Sequence, residues 1–588
     1  MALPPQLKRG GTRATRIMDK EKSLQTATSQ TGQEWWATGD TPVRTGSRVT
    51  YFIDGAAALN TMCRHFLCAQ HYIYLACWGL TPQIELVRGP YRLVGPQGSP
   101  EQEELLETLR AEGCSEADIE FWCTHDLTMQ AVLGYAVQKG VEVKVLLWHC
   151  PEAFAHYDLQ KTKEQLEAVG VTYLLDNSSF GILHHPAESL HQKIAVVDGT
   201  HGFVGGIDPL IEKAGGGDFD RWDTPMHYFD TPLRRNEHNQ TPHPWHDVHS
   251  LIEGPAAGDV ELNFRQRWNE VATKQHHDKE LHIPERPLPD ARPSNSTVQI
   301  VRTIPQHTYD FDPEAGFQDI AQVYAHALSN IQRFAYIENQ YFWLRGYTGV
   351  DVALAGFDSA DMEHNIRALG AALQRGAFVS LVLPDHPNVG RAFTDAGLAR
   401  LRDDAPQALE EGRLQAYCLG TSMHIDNKEH YRPIYVHAKV LVVDDRFSTV
   451  GSANLNNRGM RDDTEMNAAV LDNRLAYNLR LMLQGEHLGL VEERDLFVLA
   501  RLIGQQFQSR SEKEHAVYVH DLLQEQLSDP WQAHQFMHQR AWENLQRYKD
   551  GQPLIGHLLP YLTAAEAVDQ GLRFNEEHGW LEEPGSSV

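Results

Sequence analysis

The sequence contains no long apolar run and no excess of positive charge. Its 588 residues include 79 acidic and 52 basic side chains, a formal charge of -27 at pH 7. A membrane-spanning helix needs about 20 predominantly apolar residues, so none is expected. A strongly acidic surface opposes non-specific binding to nucleic acids, which disfavours a nuclease. The scattered basic residues near the N-terminus precede no apolar segment, so we expect no signal peptide and a soluble protein made in the cytoplasm.

Cysteine is also scarce, and the spacing of the cysteines indicates neither a zinc site nor a CxxC motif. The seven cysteines include no CxxC pair and no zinc-type spacing. We therefore expect free thiols in a protein made in a reducing compartment. They are Cys63, Cys68, Cys77, Cys114, Cys123, Cys150 and Cys418.

One pattern, by contrast, occurs twice. In each copy a histidine is followed by a lysine, an apolar run, an aspartate, a pair of small residues and an Asp or Asn, all at the same offsets. The two sets are His191, Lys193, Asp198, Gly205, Gly206 and Asp208 (residues 191–208), and His437, Lys439, Asp444, Gly451, Ser452 and Asn454 (residues 437–454). Two matching sets with every offset shared are hard to obtain by chance, so we interpret both as functional.

Each copy predicts a strand, a turn and a return strand. The apolar runs from Ile194 to Val197 and from Val440 to Val443 are typical of covered strands. Asp198 and Asp444 lie at an odd offset from the histidine, so we predict structural turn residues rather than catalytic ones. The small residues that end each return strand would let a ligand approach the backbone.

Two imidazoles and two ammonium groups suit the chemistry of a phosphodiester. Lysines can bind its anionic oxygens, one imidazole can attack phosphorus, and the other can protonate the leaving alkoxide. This chemistry requires no metal ion, and we predict no cofactor.

The paired motifs resemble those of the phospholipase D superfamily. Four further strings are similar to its eukaryotic-type branch: RWDTPMH from Arg221, PWHDVHSLIEGPAAGDVELNFRQRW from Pro244, YIENQYF from Tyr336 and RDDTEM from Arg461. The resemblance extends from about Phe52 to about Leu490. It also accounts for the histidine-rich stretch around His246, where we predict no metal site.

The resemblance implies roles for the paired residues. His191 would be the nucleophile and His437 the general acid, although two near-equivalent imidazoles cannot be ordered from residue chemistry alone. The family keeps an orienting acid downstream of each motif, at positions that match Asp223 and Glu465. We expect these acids to cross over, with Glu465 serving His191 and Asp223 serving His437. The phosphate would be bound by Lys193, Asp208, Lys439, Ser452 and Asn454.

The resemblance and the repeated order of elements predict one fold class. It is α/β, a duplicated α/β/α sandwich in which two pseudo-twofold related halves share one active site. The boundaries are a polar mobile segment at 1–47, a first half at 48–283, a linker at 284–296, a second half at 297–490 and a helical extension at 491–588. A polar and aromatic insertion from Gly215 to Thr241 would either contact lipid or pack against the protein.

The leading interpretation is a phospholipase D that acts on membrane phospholipids, with hydrolysis or transphosphatidylation as its reaction. A lipid synthase or nuclease of the same superfamily is the alternative, and we expect no nucleic acid as partner. The chain also looks like bacterial phospholipases that type VI secretion systems deliver as toxins, which implies export by a non-Sec route, an immunity protein and a spike protein. A housekeeping intracellular enzyme fits the composition equally well.

Overall fold

The computed structural model describes residues 34–581, apart from 93–95, 97, 152–154, 180–187, 213–218, 237–240, 277–278, 314, 347–357, 388–389 and 577. Of the predicted mobile segment, residues 1–33 therefore lie outside the described residues, as do 582–588 of the predicted extension. None of the helices in the described ranges is both long and apolar enough to cross a membrane.

Two β-sheets form the centre of the molecule. The first has seven strands in the order β2-β9-β7-β6-β3-β4-β5, and the second has twelve, with the path β1-β10-β18-β17-β16-β12-β13-β14-β15-β8 and with β11 and β19 paired to β10 and β14. The strands of the first sheet are β2 (Arg48–Ile53), β3 (Tyr72–Cys77), β4 (Glu142–Trp148), β5 (Thr172–Asp176), β6 (Ile194–Val197), β7 (His201–Gly205) and β9 (Val248–Glu253).

The second sheet is longer because strands from both ends of the chain join it. Its strands are β1 (Arg44–Thr45), β8 (Trp245–His246), β10 (Thr297–Ile304), β11 (Phe317–Gln318), β12 (Phe334–Asn339), β13 (Phe378–Val382), β14 (Leu414–Ile425), β15 (Lys428–Val436), β16 (Lys439–Val443), β17 (Phe447–Gly451), β18 (Glu465–Leu471) and β19 (Leu558–Pro560).

The helices pack on these sheets and on one another. They are α1 (Asp54–Cys68), α2 (Pro100–Ala111), α3 (Glu116–Thr124), α4 (Met129–Gln138), α5 (Leu159–Glu167), α6 (Pro255–Val271), α7 (Asp319–Ser329), α8 (Ala360–Gln374), α9 (Arg391–Asp404), α10 (Pro406–Glu410), α11 (Asn473–His487), α12 (Asp495–Ile503), α13 (Arg510–Leu527), α14 (Pro530–Lys549) and α15 (Ala564–Asp569).

The sheet order shows an internal duplication. The series β9-β7-β6-β3-β4-β5 has the same order and strand directions as β18-β17-β16-β12-β13-β14. In both series a helix, α4 or α8, precedes the second parallel strand. One hydrophobic core contains buried residues of both sheets, and Tyr51 Oη lies 2.9 Å from Ser448 Oγ across it. The predicted α/β class and the predicted strand-turn-strand units are confirmed.

The ends of the described chain differ from the prediction. Residues 34–47 are packed rather than mobile: Trp35 is buried and stacks on Phe447, with ring centroids 4.9 Å apart. The Gln299 side chain bonds to Ala37 N and to Thr41 O. After residue 490, the predicted helices are present as α12 to α15, but β19 also extends the second sheet by pairing with β14.

The prediction of free thiols is wrong for two cysteines. Cys68 ends α1 and Cys114 follows α2, and their Cα atoms lie 4.5 Å apart in a disulfide. The bridge spans 46 residues, so no local spacing in the sequence indicated it. Cys63, Cys77, Cys123, Cys150 and Cys418 are free.

Candidate active site

The two motifs meet where the sheets face each other. His191 and His437 lie just before β6 and β16, and each is held by the other half of the molecule. His191 N donates to Thr464 O and His437 N donates to His246 O, both at 2.8 Å. The two imidazole centroids are 6.4 Å apart, so the motifs form one pocket, as the duplicated pattern predicted.

A buried carboxylate holds each imidazole. His191 Nδ1 lies 2.9 and 3.0 Å from the two oxygens of Glu465, and His437 Nδ1 lies 2.6 Å from Asp247 Oδ2. Both carboxylates are fully buried. A carboxylate at Nδ1 fixes the orientation of the ring and leaves Nε2 for the reaction. The expected contact between Glu465 and His191 is present.

The predicted contact between Asp223 and His437 is wrong. The Asp223 carboxylate accepts from Arg234 Nη1 at 2.9 and 3.1 Å and from Trp245 N at 2.9 Å, and it lies 3.1 Å from His227 Nδ1. These partners engage both oxygens deep in the protein, so Asp223 cannot also orient His437. Asp247 occupies that role.

The duplication contained the signal for Asp247. Glu465 begins β18, Asp247 immediately precedes β9, and these strands hold the same place in the two sheets. Forty-two residues separate β7 from β9, whereas thirteen separate β17 from β18. An acid sought at a similar number of residues after each histidine is therefore Asp223. An acid sought at the equivalent strand of the first sheet is Asp247. A Cβ at Gly206 would overlap Asp247 Oδ1, which explains the small residue there.

The two motif lysines are buried beside the histidines. Lys193 Nζ donates to His191 O at 2.8 Å and lies 3.1 Å from Asp208 Oδ2. Lys439 Nζ donates to His437 O and, at 3.0 Å, to Gln340 Oε1. Each ammonium group is thus fixed next to its own histidine, which is the arrangement the motif predicted.

Gln340 is a second site residue without a predicted role, although it lies within the string YIENQYF. Its Oε1 accepts from both Lys439 Nζ and Asn454 Nδ2, the latter at 3.2 Å. One amide oxygen therefore positions two of the groups expected to bind phosphate. Its place directly after the buried strand β12 is the signal that could have indicated it.

Two predicted phosphate-binding groups have other contacts. The Asp208 carboxylate accepts from Trp78 N and Gly79 N at 3.0 and 3.2 Å and pairs with Lys193. An anion would repel phosphate, so Asp208 positions the lysine instead. Ser452 Oγ is engaged with the backbone of Met466, at 3.0 Å from its N and 3.3 Å from its O.

The turn roles predicted for Asp198 and Asp444 are confirmed. The Asp198 carboxylate accepts three backbone N–H groups, from residues 70–72, at 2.8 to 2.9 Å. Asp444 accepts the equivalent three, from residues 332–334, each at 2.8 Å. Each aspartate therefore fastens the turn after a motif strand to the start of the neighbouring strand, β3 or β12, which runs antiparallel to the motif strand.

Comparison with known families agrees with this geometry. A model described as "Phospholipase D" matches residues 187–348, and one described as "Cardiolipin synthase, PLD-like domain" matches residues 348–484. Together they cover about half of the 588 residues. The chain belongs to the phospholipase D superfamily.

Individual relatives within the superfamily are distant. The chain is 26% identical over 547 residues to phospholipase D alpha 1 of Ricinus communis, covering 72% of this chain and 63% of that protein. It is 24% identical over 507 residues to phospholipase D A of Dictyostelium discoideum, covering 75% and 35%. It thus spans less than two thirds of either relative. Among solved structures, a phosphatidylserine synthase of Haemophilus influenzae Rd KW20 matches with a TM-score of 0.41 and 13% identity, covering 92% of this chain and 100% of that one.

Burial and the two lysines set the proton affinities in this phospholipase D-type pocket. The pKa of His191 is lowered well below its ordinary value by burial and then by Lys193 and Lys439, and that of His437 is lowered by burial and by the same two lysines. Burial raises the pKa of Glu465 to about 8 and that of Asp247 to about 7. Burial therefore disfavours charge on both members of each imidazole–carboxyl pair, because it lowers the pKa of the ring and raises the pKa of the acid.

An aromatic wall of Phe219, Trp245 and Tyr435 lines the His437 side of the pocket. The Trp245 ring lies 4.6 Å from the His437 ring and 4.9 Å from that of Tyr435. Phe219 belongs to the polar insertion, in which Trp222 and Phe229 are also buried. Trp222 and Phe229 therefore pack against the protein rather than contact lipid. Tyr228, which is 42% exposed, is the exception among the aromatic side chains described there.

Proposed function

We propose that this chain is a phospholipase D-type phosphodiesterase that hydrolyses the distal phosphodiester of glycerophospholipids. The observation that carries the proposal is the pair of imidazoles, 6.4 Å apart and each held through Nδ1 by a buried carboxylate. A phosphoryl group placed between the rings would meet one Nε2 on each side. In-line displacement needs this arrangement, because the attacking nitrogen and the proton donor to the leaving group must lie on opposite sides of phosphorus.

The first step forms a phosphohistidine. Nε2 of His191 attacks phosphorus, the bond from phosphorus to the headgroup oxygen breaks, and Nε2 of His437 gives its proton to the departing alkoxide. Glu465 supports the positive charge that develops on the His191 ring, as an orienting carboxylate does in other imidazole catalysts. The headgroup alcohol then leaves.

The second step regenerates the enzyme. Nε2 of His437 takes a proton from water as the water oxygen attacks phosphorus, and the bond between phosphorus and His191 breaks. Phosphatidic acid is released. An alcohol in place of water would give transphosphatidylation by the same atoms.

The ammonium groups of Lys193 and Lys439 would bind the non-bridging oxygens of the phosphate, with the Asn454 amide beside them. Each is positioned by a neighbour, Asp208 or Gln340, so little reorganisation is needed as negative charge develops. Removing one such preorganised donor typically lowers kcat by about 10²- to 10³-fold.

The test is headgroup release from vesicles of defined composition. Purified protein would be incubated with phosphatidylcholine, phosphatidylethanolamine or phosphatidylglycerol, and phosphatidic acid and the free alcohol would be measured together. We expect both products in equal amounts. A double-stranded DNA substrate and a mixture with added serine or glycerol are the comparison arms. Cleaved DNA without lipid hydrolysis, or phosphatidyl transfer without any hydrolysis, would instead identify one of the other superfamily activities.

Replacing Gln340 with alanine should lower kcat with little change in KM. The substitution removes the oxygen that holds Lys439 Nζ and Asn454 Nδ2, and misplacing such groups by about 1 Å costs about 10²-fold. Headgroup release would be measured beside Gln415→Ala, a control on β14 whose amide donates to Gly412 O at 3.2 Å. A folded Gln340→Ala variant with the kcat of the unmodified protein would exclude this positioning role.

The kcat/KM of the free protein should fall as pH rises above about 7. Burial lowers the pKa of Lys439 to about 7, so its ammonium group is present below that pH and is lost above it, together with its attraction for phosphate. A bound phosphodiester favours the charged form, so kcat should retain its value to a higher pH than kcat/KM. Profiles of both constants against pH would check this. An alkaline limb at the same pH in both profiles would contradict the assignment.

Delivery by a type VI secretion system stays a prediction from the resemblance, as do the immunity and spike partners. The Cys68–Cys114 disulfide favours an oxidising destination, because such bonds are rare in proteins that remain in a reducing cytosol. Toxicity to cells that produce the protein in the periplasm, relieved by co-expression of a neighbouring gene, is the observation that would support export.

A further inference from the structure

A second cluster of buried polar side chains lies behind the catalytic pocket. Asp54, His227, His246 and Glu486 are all essentially without solvent exposure. One donor atom from each lies within 4.8 Å of the others. The four residues come from the start of α1, the polar insertion, β8 and the end of α11, so the fold assembles them from distant parts of the chain.

Four nitrogen–oxygen distances within this cluster are close to the spacing of ligands around a tetrahedral ion. His227 Nε2 lies 2.8 Å from Glu486 Oε1 and 3.5 Å from Asp54 Oδ2. His246 Nδ1 lies 3.1 Å from both Glu486 Oε1 and Asp54 Oδ1. Ligands at about 2.0 to 2.1 Å from a tetrahedral ion are about 3.3 Å from one another.

The second nitrogen of each imidazole bonds to another carboxylate. His227 Nδ1 lies 3.1 Å from Asp223 Oδ2, and His246 Nε2 lies 2.7 Å from Glu338 Oε2. Histidines that bind metal ions almost always have such an outer partner, which fixes the tautomer and turns the other nitrogen toward the ion. Both rings of the cluster meet that condition.

Two carboxylate oxygens of cluster residues lack a hydrogen bond, and one of them, Asp54 Oδ2, faces His227 Nε2 at 3.5 Å. Asp54 Oδ2 and Glu486 Oε2 are fully buried and have no hydrogen-bond partner among the groups that the structure describes. A buried carboxylate oxygen without a partner is costly. Coordination to a cation would give these carboxylates the partner that hydrogen bonds do not supply.

We propose that Asp54, His227, His246 and Glu486 bind one divalent transition-metal ion, with Zn²⁺ as the best fit. Two imidazoles and two carboxylates in tetrahedral arrangement are typical zinc ligands. Ca²⁺ takes six to eight oxygens and Mg²⁺ keeps several waters, which a closed site without solvent exposure does not provide. All four positions are filled by protein, so the ion is structural and takes no part in the reaction.

The ion would support the catalytic histidine through Asp247. Asp54 N donates to Asp247 O at 2.8 Å, and Asp247 N donates to Asp54 Oδ1 at 3.2 Å. Asp247 is also the residue next to His246 in the chain, and its carboxylate holds His437. Binding the ion therefore fixes the backbone that positions the general acid.

Metal content is the first test. Full-length protein purified without a metal-affinity column should contain about one zinc ion per chain after dialysis, by elemental analysis. Protein unfolded with chelator and refolded without metal should bind Zn²⁺ and gain at least about 5 °C in Tm. Co²⁺ in its place should give the visible absorption of a tetrahedral nitrogen and oxygen site.

Substitutions assign the ion to these residues. His246→Gln and His227→Gln should each lower the zinc content to less than about a tenth of an ion per chain. The control is His557→Gln, which changes a buried imidazole that meets the His227 ring edge to face, with centroids 5.3 Å apart, but removes no ligand and should retain the ion. Unmodified protein that folds without metal and shows no change in Tm with Zn²⁺ would overturn the proposal and leave a network joined by protons. Both readouts are independent of phosphodiesterase activity.

Discussion

Replacing either His191 or His437 with asparagine should lower headgroup release by about 10⁴-fold or more, because the two imidazoles act as a unit. His191 supplies the attacking nitrogen, and His437 moves the proton in both steps, so neither loss can be compensated by the other. Mixing the two inactive variants should restore nothing, because both rings belong to one pocket in one chain. His534→Asn is the matched control, since this buried imidazole bonds to Ser380 and Gly412 O.

The same pair of variants separates the two roles. A short-chain substrate with a leaving group that needs no protonation should still react at His191 in the His437→Asn variant. The phosphoryl group should then remain on His191, because the base that activates water is absent. Peptide mapping after a quench without acid would locate it. An adduct on His437 in the His191→Asn variant would reverse the assignment, and headgroup release within about 10²-fold of the unmodified rate in either variant would refute the shared site.

The repeated offsets were sufficient to predict which histidines and lysines meet in one pocket, but not the contacts of Asp208 and Ser452, which lie at repeated offsets as well. His191, Lys193, His437 and Lys439 lie within short segments whose strand and turn geometry is local, so their spacing was informative. Glu465 could be predicted for the same reason, since only thirteen residues separate β17 from β18. Local spacing alone is therefore enough to identify these positions.

Contacts between distant segments could not be predicted in that way. The polar insertion between β7 and β9 moved Asp247 far from its motif, and the nearer Asp223 matched the expected distance by coincidence. The proposed metal ligands span residues 54–486, and Cys68 is 46 residues from Cys114. Such pairs become neighbours only through the packing of the sheets and α11, which periodicity and spacing do not specify.

Replacing Asp247 with asparagine should lower kcat by about 10⁴-fold, the size of the effect when a catalytic histidine loses its orienting carboxylate elsewhere. Asp247 Oδ2 lies 2.6 Å from His437 Nδ1, and Oδ1 accepts the backbone N–H of Val248 at 2.8 Å. Asparagine keeps the size of the side chain but removes the charge that stabilises the imidazolium. Its amide can also hold the ring in the tautomer that places the proton on the wrong nitrogen.

Asp223→Asn is the matched comparison, because Asp223 is equally buried and also lies next to a histidine, His227. Its carboxylate pairs with Arg234 rather than with His437, so its loss leaves a buried guanidinium without its charged partner. We expect a lower Tm for Asp223→Asn, with the kcat of the folded protein within about tenfold of the unmodified value. Steady-state kinetics and thermal unfolding of both variants would decide the matter. The opposite pattern, with kcat lost in Asp223→Asn and kept in Asp247→Asn, would show that the acid nearer in sequence orients His437 during turnover, and that the contact between Asp247 and His437 is structural alone.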